Sequence, residues 1–245
     1  MLIHPTRNKL QELKLNGMLK CIEEQDLTNE YDDLKFEERL GLLVDREKIE
    51  RENRRLKTRL KKARLGGAVM ADIDYRAKRG LDKTLLKSLE SSAWLKDHIN
   101  ILITGPTGVG KTFLGKAVAH QGCLMGYSAL AVRLSRLFEE LSIAQGDGSI
   151  VKIYDSLKRI DILVIDDFGL DVLNDQQRRF FLEILEDRYE NKSTIITSQT
   201  PIKHWHQVIE HATLADAILD RIVHNSYQIE LKGDSMRKLK AKKIK

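Results

Sequence analysis

The pattern of apolar positions changes near residue 66, which indicates two parts of different architecture. Residues 6–64 show helical spacing throughout. The first amphipathic stripe, at i, i+3, i+4 and i+7, consists of Leu15, Met18, Leu19 and Ile22. A second helix is predicted from about residue 36 to about residue 64, with an apolar residue every seven positions at Leu42, Ile49, Leu56 and Ala63. One apolar heptad position does not sustain a coiled coil, so we expect this stripe to dock on the first helix.

From about residue 69 onwards, short apolar runs alternate with helical patterns. The predicted strands are 99–104, 128–134, 161–166, 193–198 and 226–231. Several are continuously apolar, as in parallel sheets that helices cover on both faces. This alternation predicts a doubly wound α/β domain. The Gly66-Gly67 pair separates the two patterns, so we place a helical domain at 1–68 and the α/β domain at 69–245.

A glycine-rich loop lies between the first predicted strand and a helical pattern. It fits G-x-x-x-x-G-K-[ST] at every specified position and consists of Gly105, Pro106, Thr107, Gly108, Val109, Gly110, Lys111 and Thr112. In this motif backbone N–H groups surround phosphates at a helix N-terminus, the lysine reaches the terminal phosphates, and the hydroxyl binds Mg²⁺. We therefore predict a nucleotide site with Mg²⁺ at Thr112.

The run ILVIDDFG places two carboxylates at the end of the third predicted strand. Asp166 is positioned to hold the Mg²⁺ shell. Asp167 is positioned to orient or deprotonate the attacking water, with a cap of the following turn as the alternative. DDFG also fits the D-x-x-G of GTPases, which usually carry N-K-x-D for guanine, and the Asn-Lys of NKST lacks that Asp. ATP is therefore favoured over GTP.

The stretch TSQT follows the fourth predicted strand. Ser198 and Gln199 stand where a polar side chain can reach the γ-phosphate or the attacking water. Turn residues are commonly polar, so a purely structural role stays equally open at this position.

Positive charge is concentrated in two segments, although the net charge of the chain is only +6. Residues 46–64 carry ten basic and three acidic side chains, and residues 232–245 carry seven and one, so the rest of the chain is acidic overall. This distribution favours a polyanionic partner. A nucleic acid is such a polyanion, and the residues expected to contact its backbone phosphates are Arg51, Arg54, Arg55, Lys57, Arg59, Lys61, Lys62 and Arg64. No base-reading motif accompanies them, so we expect backbone contacts with little sequence preference; a merely solvated helix is the alternative.

Composition narrows the class of protein further. No run of about 18 apolar residues is present, which argues against a membrane span. The N-terminal MLIHPTRNKL lacks the apolar segment of a secretory signal. Two cysteines without a CxxC motif give no disulfide framework. We expect a cytoplasmic protein that does not act at a membrane.

Several stretches beyond the phosphate loop resemble one family. They are ILVIDD, IITSQTP, AILDRIVHNS and GDSMR, together with LKFEERLGLLVDRE in the N-terminal part. In this order they resemble the AAA+ ATPases of the IstB type, the helper ATPases of insertion-sequence transposition, which are relatives of the DnaC helicase loaders. The likeness covers nearly the whole chain, and the N-terminal stretch with DRIVH and SMR separates it from other phosphate-loop families.

The resemblance implies a catalytic set at the predicted nucleotide site. Lys111 and Thr112 would be the Walker A residues, and Asp166 the Walker B ligand of Mg²⁺. Asp167 would be the catalytic carboxylate, where Glu is more frequent, and Gln199 the sensor 1 residue, where Asn is more frequent. The implied fold is an AAA+ core with a five-stranded parallel sheet after a small all-helical domain.

The resemblance also implies roles for two arginines. Arg221 resembles the arginine that a neighbouring subunit inserts into the ATP site, although pairing with Asp216 or Asp220 on its own helix stays open. Arg237 resembles a sensor 2 arginine that contacts the nucleotide. About fourteen residues follow the last predicted strand, so no C-terminal helical lid is expected.

These observations lead to one functional expectation and its competitors. The family resemblance implies an ATPase that forms a homo-oligomer with shared ATP sites on duplex DNA and presents this DNA to a partner transposase. A helicase loader would share every ATPase residue and differ in the partner of residues 1–68. A small-molecule kinase is disfavoured because no arginine-rich lid segment is evident, and a scaffold that binds ATP without cleaving it is disfavoured by Asp167 and Arg221.

Overall fold

The computed structural model describes residues 5–77 and 79–236. The chain divides into two compact units, Met1–Thr58 and Arg59–Lys245. This division lies before the predicted boundary, and Ala63, Leu65 and Ala68 are buried residues of the second unit. The functional roles assigned to the two parts stay predictions.

The first unit is helical. Its elements are α1 (Pro5–Glu12), α2 (Asn16–Leu27), a 3₁₀ turn (Asn29–Tyr31) and α3 (Phe36–Ala63), whose last residues belong to the second unit. Helix α3 is therefore present where the heptad pattern predicts it.

The predicted docking of the α3 stripe is wrong. Leu42 and Ile49 are 39% and 50% exposed, and the face turned towards α2 carries Glu47, which is only 5% exposed. The Glu47 carboxylate accepts hydrogen bonds from the backbone N–H of Gly17 (2.7 Å) and Met18 (3.4 Å). A Cβ on Gly17 would lie 2.5 Å from the Cα of Glu47, so the two helices meet through a glycine and a carboxylate. Polar groups thus make this contact, and periodicity alone does not reveal it.

The second unit is an α/β domain. Before its sheet come a 3₁₀ turn (Met70–Asp72), α4 (Lys83–Ser88) and α5 (Ala93–Lys96). The sheet and its connecting helices are β1 (Asn100–Thr104), α6 (Lys111–Leu124), β2 (Ala129–Arg133), α7 (Leu134–Gly146), α8 (Ile150–Arg159), β3 (Ile162–Phe168), α9 (Asp175–Arg188), β4 (Ser193–Ser198), a 3₁₀ turn (Ile202–His204), α10 (Trp205–Ile209), α11 (Ala212–Val223) and β5 (Ser226–Glu230). All five predicted strands form, each within about two residues of its predicted ends.

The sheet is parallel and its strand order is β2-β3-β4-β1-β5. β1 lies between β4 and β5, while the chain after β1 crosses to the far edge at β2. In open α/β sheets such a reversal opens a crevice at the carboxyl ends of the strands, where ligands bind. The phosphate loop leaves β1 at this crevice.

The core is apolar on both faces of the sheet. Residues of β1 and β3, including Ile101, Leu102 and Ile165, have no exposed surface. The ring of Phe168 lies 5.4 Å from that of Phe181 and 4.6 Å from that of Trp205, measured between centroids. This packing holds the carboxyl end of β3, which carries the two acidic residues, in place.

Within the described residues, no helix is both long and apolar enough to cross a membrane.

Candidate active site

The phosphate loop occupies residues 105–110 between β1 and α6. Gly105, Gly108 and Gly110 have φ values of 143°, 86° and 102°. A Cβ at these positions would lie 2.2 Å from the Leu231 carbonyl oxygen, 2.3 Å from the Ser235 hydroxyl and 2.9 Å from a guanidinium nitrogen of Arg79, respectively. Each glycine thus admits a neighbouring group that any side chain would displace, and the loop keeps a conformation that favours glycine.

Lys111 begins α6 and lies back over the loop. Its ammonium group donates to the carbonyl oxygen of Pro106 at 2.9 Å, and the residue is 6% exposed. The positive charge is therefore held above the cradle of backbone N–H groups, as a site for phosphate oxygens requires.

Thr112 and Asp166 meet at the carboxyl ends of β1 and β3. The Thr112 hydroxyl donates to Oδ1 of Asp166 at 2.7 Å, and the buried Thr197 hydroxyl donates to the same oxygen. Oxygen donors are the ligands that Mg²⁺ prefers, and Mg²⁺ usually takes only one or two carboxylates together with phosphates and water. The Thr112 hydroxyl and the Asp166 carboxylate are oxygen donors of this kind, so they fit Mg²⁺ held jointly with a nucleotide.

Asp167 follows a register shift in β3 and has a φ of 64°. Its backbone N–H donates to the Thr197 hydroxyl at 3.2 Å, and its Oδ2 lies 3.2 Å from Nε of Arg133. The side chain is 23% exposed, against 65% for that of Arg133. The two adjacent carboxylates therefore have different partners: Asp166 accepts from Thr112 and Thr197, while Asp167 pairs with Arg133.

Gln199 lies at the phosphate loop. Its amide oxygen accepts a hydrogen bond from the Thr107 hydroxyl at 2.6 Å. The structure thus brings the residue after β4 together with the loop after β1; the role of Gln199 towards the γ-phosphate stays a prediction.

Arg221 lies on α11 and pairs with Glu186 of α9. Its Nη2 is 2.5 Å from the Glu186 carboxylate, and its Nη1 donates to the Ala217 carbonyl at 2.7 Å. Its ion-pair partner is thus Glu186 and neither Asp216 nor Asp220. The Arg221 carbonyl accepts from the side chain of Asn100 at the amino end of β1, whereas the phosphate loop leaves the carboxyl end. About 13 Å of strand separates Asn100 from Thr104, at roughly 3.3 Å for each of the four steps, so Arg221 is remote from the phosphate loop of its own chain.

Arg237 lies outside the described residues, as does most of the segment on which the expectation of no helical lid rests. The described residues just before it do reach the site. The Met236 N–H donates to the carbonyl of Gly108 at 2.9 Å.

Three residues at the site were not predicted. Thr197 bridges Asp166 and Asp167, Arg133 pairs with Asp167, and Arg79 contacts the phosphate loop. Arg133 could have been found, because it ends the strand next to β3 and lies in register with Asp166. Thr197 and Arg79 carry no local sequence signal, since their partners are distant in the chain.

A polar cleft opens beside the acidic pair within the second unit. Its volume is about 570 Å³, and its walls include Asp166, Glu139 and Glu140. The cations that line it are Arg64, Lys116, Arg133 and Arg136. Arg133 therefore faces both this cleft and Asp167.

The predicted phosphate-contacting residues are mostly exposed. Arg51 pairs with Glu47 at 2.7 Å, and Arg59 donates to the carbonyl of Gly126 at 2.8 Å. Besides Arg51, the exposed members are Arg54, Arg55, Lys57, Lys61, Lys62 and Arg64. Arg59 thus has a structural contact, while these six are open to a ligand.

Comparison with known proteins supports nucleotide binding by this chain. The family model described as IstB-like ATP binding protein matches residues 8–244. A Sinorhizobium fredii protein, y4pL, named as an insertion sequence ATP-binding protein, is 46% identical over 244 residues, which cover 99% of this chain and all of the relative.

Solved structures place the fold. The crystal structure of DnaI matches with a TM-score of 0.59 and 25% identity over 69% of this chain and 93% of that one. The DnaC helicase loader matches with a TM-score of 0.55 and 20% identity over 69% of this chain and 99% of that one. The predicted AAA+ phosphate-loop core with a five-stranded parallel sheet is confirmed, and the chain belongs to the IstB-like ATP-binding protein family.

Proposed function

We propose that this protein is a cytoplasmic ATPase that assembles on duplex DNA and presents it to a partner transposase, with ATP hydrolysis resetting the assembly. The observation that carries the proposal is the contact of Thr112 with Asp166 beside a complete phosphate loop, with Asp167 as the next residue of β3. These residue types are the ones that cleavage of ATP requires. The chain belongs to the IstB-like family, and relatives such as y4pL are named as insertion sequence ATP-binding proteins.

The chain's own residues divide the work of hydrolysis. The loop N–H groups and Lys111 bind the phosphates, while Thr112 and Asp166 supply oxygen ligands. Mg²⁺, when bound there, neutralises charge that develops on the phosphates. Asp167 orients the attacking water or accepts its proton, and Gln199, fixed by Thr107, contributes a polar group on the γ-phosphate side.

Arg221 acts in the site of a neighbouring subunit. Support comes from its place at the amino end of β1, away from the phosphate loop of the same chain. An arginine on the transferred phosphoryl group accelerates cleavage by about 10³–10⁵, so assembly would switch hydrolysis on. The bond to Glu186 must open for this, which favours low turnover in the isolated subunit.

DNA binding uses the basic residues of α3. The six exposed cations suit contacts with backbone phosphates, which release counterions and carry little sequence information. The oligomer places many such helices along one duplex and gains affinity from their number.

The proposal is tested by measuring the mass of the protein on a random-sequence duplex, with ATP, with ADP and without nucleotide. Assemblies of several subunits should form with ATP on the duplex, and Lys111→Ala should remove them. Arg179→Ala, which changes an exposed cation outside the site, serves as the control. Assembly by Lys111→Ala equal to that of the natural protein would overturn the role of nucleotide.

A helicase loader is the second candidate, favoured by the fold shared with DnaC. The ATPase residues are the same in both cases, so the partner decides. Binding of residues 1–68 to a transposase from the same insertion sequence supports the first function, and binding to a replicative helicase supports the second.

A further inference from the structure

Arg79 is a buried cation next to the phosphate loop. It lies in the segment between Met70–Asp72 and α4, and only 6% of its surface is exposed. Burial lowers the pKa of its guanidinium, and the charge of Asp74 opposes this shift. Arginines are almost never fully buried without partners, so its contacts define what it does.

Those contacts are to main-chain carbonyl groups. Nη1 donates to the carbonyl oxygen of Val109 at 2.9 Å, and Nη2 donates to that of Asp74 at 2.8 Å. Its own carbonyl oxygen accepts from the N–H of Lys232 at 2.9 Å. The guanidinium also fills the space that a Cβ on Gly110 would take, with Nη1 2.9 Å from that position. Arg79 thus ties the segment before the sheet to the phosphate loop.

The bond to Val109 constrains the next N–H group. A peptide unit is planar and trans, so the carbonyl of Val109 and the N–H of Gly110 point in opposite directions. A guanidinium that holds this carbonyl on one side therefore directs the Gly110 N–H to the other. Glycine permits many backbone conformations, and Gly110, at a φ of 102°, gains this orientation from an external restraint.

We propose that Arg79 is a positioning residue for nucleotide binding, which holds the Val109–Gly110 peptide so that the Gly110 N–H faces the phosphates. The inference rests on nucleotide binding at the phosphate loop and not on the DNA or transposase roles proposed above. Its test therefore uses nucleotide alone, and its failure leaves those roles untouched.

Arg178 supplies a matched control. It is 8% exposed and donates to the carbonyl oxygens of Leu173 and Ile209, both remote in sequence from the phosphate loop. Its Nε, like that of Arg79, lacks an acceptor among the described residues. Truncating either arginine removes a buried guanidinium and two carbonyl contacts. Arg178 additionally pairs with Asp175 at 2.7 Å, but only Arg79 contacts the loop.

The experiment compares Arg79→Ala, Arg79→Lys and Arg178→Ala with the natural protein. A fluorescent ADP and unlabelled ATP are titrated, the unfolding temperature without nucleotide is recorded, and kcat and KM are measured. Arg79→Ala should weaken the affinity for both nucleotides about tenfold or more, as for about 1.4 kcal/mol, and change kcat at saturating ATP less than about twofold, since the residue acts through the loop. Arg79→Lys keeps the charge and one donor, so it should lose less affinity.

Arg178→Ala should lower the unfolding temperature but leave both affinities unchanged. Hydrogen exchange of the amides of residues 107–112 without nucleotide should be faster in Arg79→Lys, a variant that retains the buried charge, and unchanged in Arg178→Ala. Natural affinity and natural exchange in Arg79→Lys would overturn the proposal, as would an equal loss of affinity in Arg79→Ala and Arg178→Ala.

Discussion

Nε of Arg133 lies 3.2 Å from Oδ2 of Asp167, across the carboxyl ends of β2 and β3. Arg133 lines the polar cleft, and Asp167 is the carboxylate that we propose to orient the attacking water. While it is paired, the Asp167 carboxylate has one oxygen occupied by Arg133 and is less available to orient a water molecule. The pair therefore restrains Asp167 in the isolated chain.

Removing this restraint should raise basal hydrolysis. Arg133→Ala is expected to increase ATP turnover without DNA by about two- to fivefold, because an exposed ion pair contributes about 1 kcal/mol or less. Arg136→Ala, which changes a cation of the same cleft that is not paired with Asp167, should leave basal turnover unchanged. A fall in turnover with Arg133→Ala would mean that Arg133 positions Asp167 productively.

Arg221 and Asp167 should complement each other between subunits. Arg221→Ala is expected to bind ATP normally but to lose about 10³-fold or more in turnover, since the arginine acts only on the transferred phosphoryl group. Asp167→Ala should also be inactive. Mixing the two proteins creates sites with both residues intact, so part of the activity should return. Turnover that stays absent at every mixing ratio contradicts a shared site.

Reversing charge on α3 should weaken DNA binding and its dependence on salt. The fourfold variant changes Arg54, Arg55, Lys61 and Lys62 to Glu. Loss of about four phosphate contacts should reduce the slope of log affinity against log salt by about 3.6. The matched control reverses four exposed lysines elsewhere, at Lys87, Lys96, Lys152 and Lys203. An equal reduction in both variants would show that net charge, and not α3, governs binding.

Asp161 should make stability dependent on pH. Burial alone would raise the pKa of this carboxyl, but hydrogen bonds from Lys192 (2.6 Å) and Ser128 outweigh it and lower the pKa below the ordinary 3.8. The charged form therefore stabilises the fold above pH 3.8, and this contribution disappears as pH falls through the lowered pKa. Asp161→Asn should reduce the free energy of unfolding at pH 7 by about 1–2 kcal/mol, as for a partly exposed charged hydrogen bond.

Denaturant titrations at several pH values measure this effect. The difference between the natural protein and Asp161→Asn should shrink below about pH 4, where the natural carboxyl also becomes neutral. If the difference in the free energy of unfolding stays constant from pH 7 to pH 3, the destabilisation by Asp161→Asn does not come from the loss of charge.

The sheet and the phosphate loop could be read from the sequence for clear physical reasons. Strands such as Ile162–Phe168 are continuously apolar because both faces are covered, and the loop motif fixes glycines where backbone must approach phosphate. Thr112 and Asp166 could be paired because parallel strands bring their carboxyl ends to one edge.

The rest depends on tertiary neighbours. Arg79 looks like any charged loop residue until its hydrogen bond to Val109 is seen. The predicted docking of the α3 stripe is wrong because periodicity shows that Leu42 and Ile49 lie on one side of the helix but not which neighbour that side contacts. Glu47 makes the contact with α2 instead, because its carboxylate accepts hydrogen bonds from the backbone N–H groups of Gly17 and Met18.

The rate of ATP turnover with and without random-sequence duplex DNA, across a range of protein concentrations, tests the central claim most directly. A rate per subunit that rises with both DNA and concentration is predicted, because in the proposed assembly Arg221 completes the ATP site of a neighbouring subunit and DNA brings the subunits together. A rate indifferent to DNA and to concentration would contradict a composite site assembled on DNA.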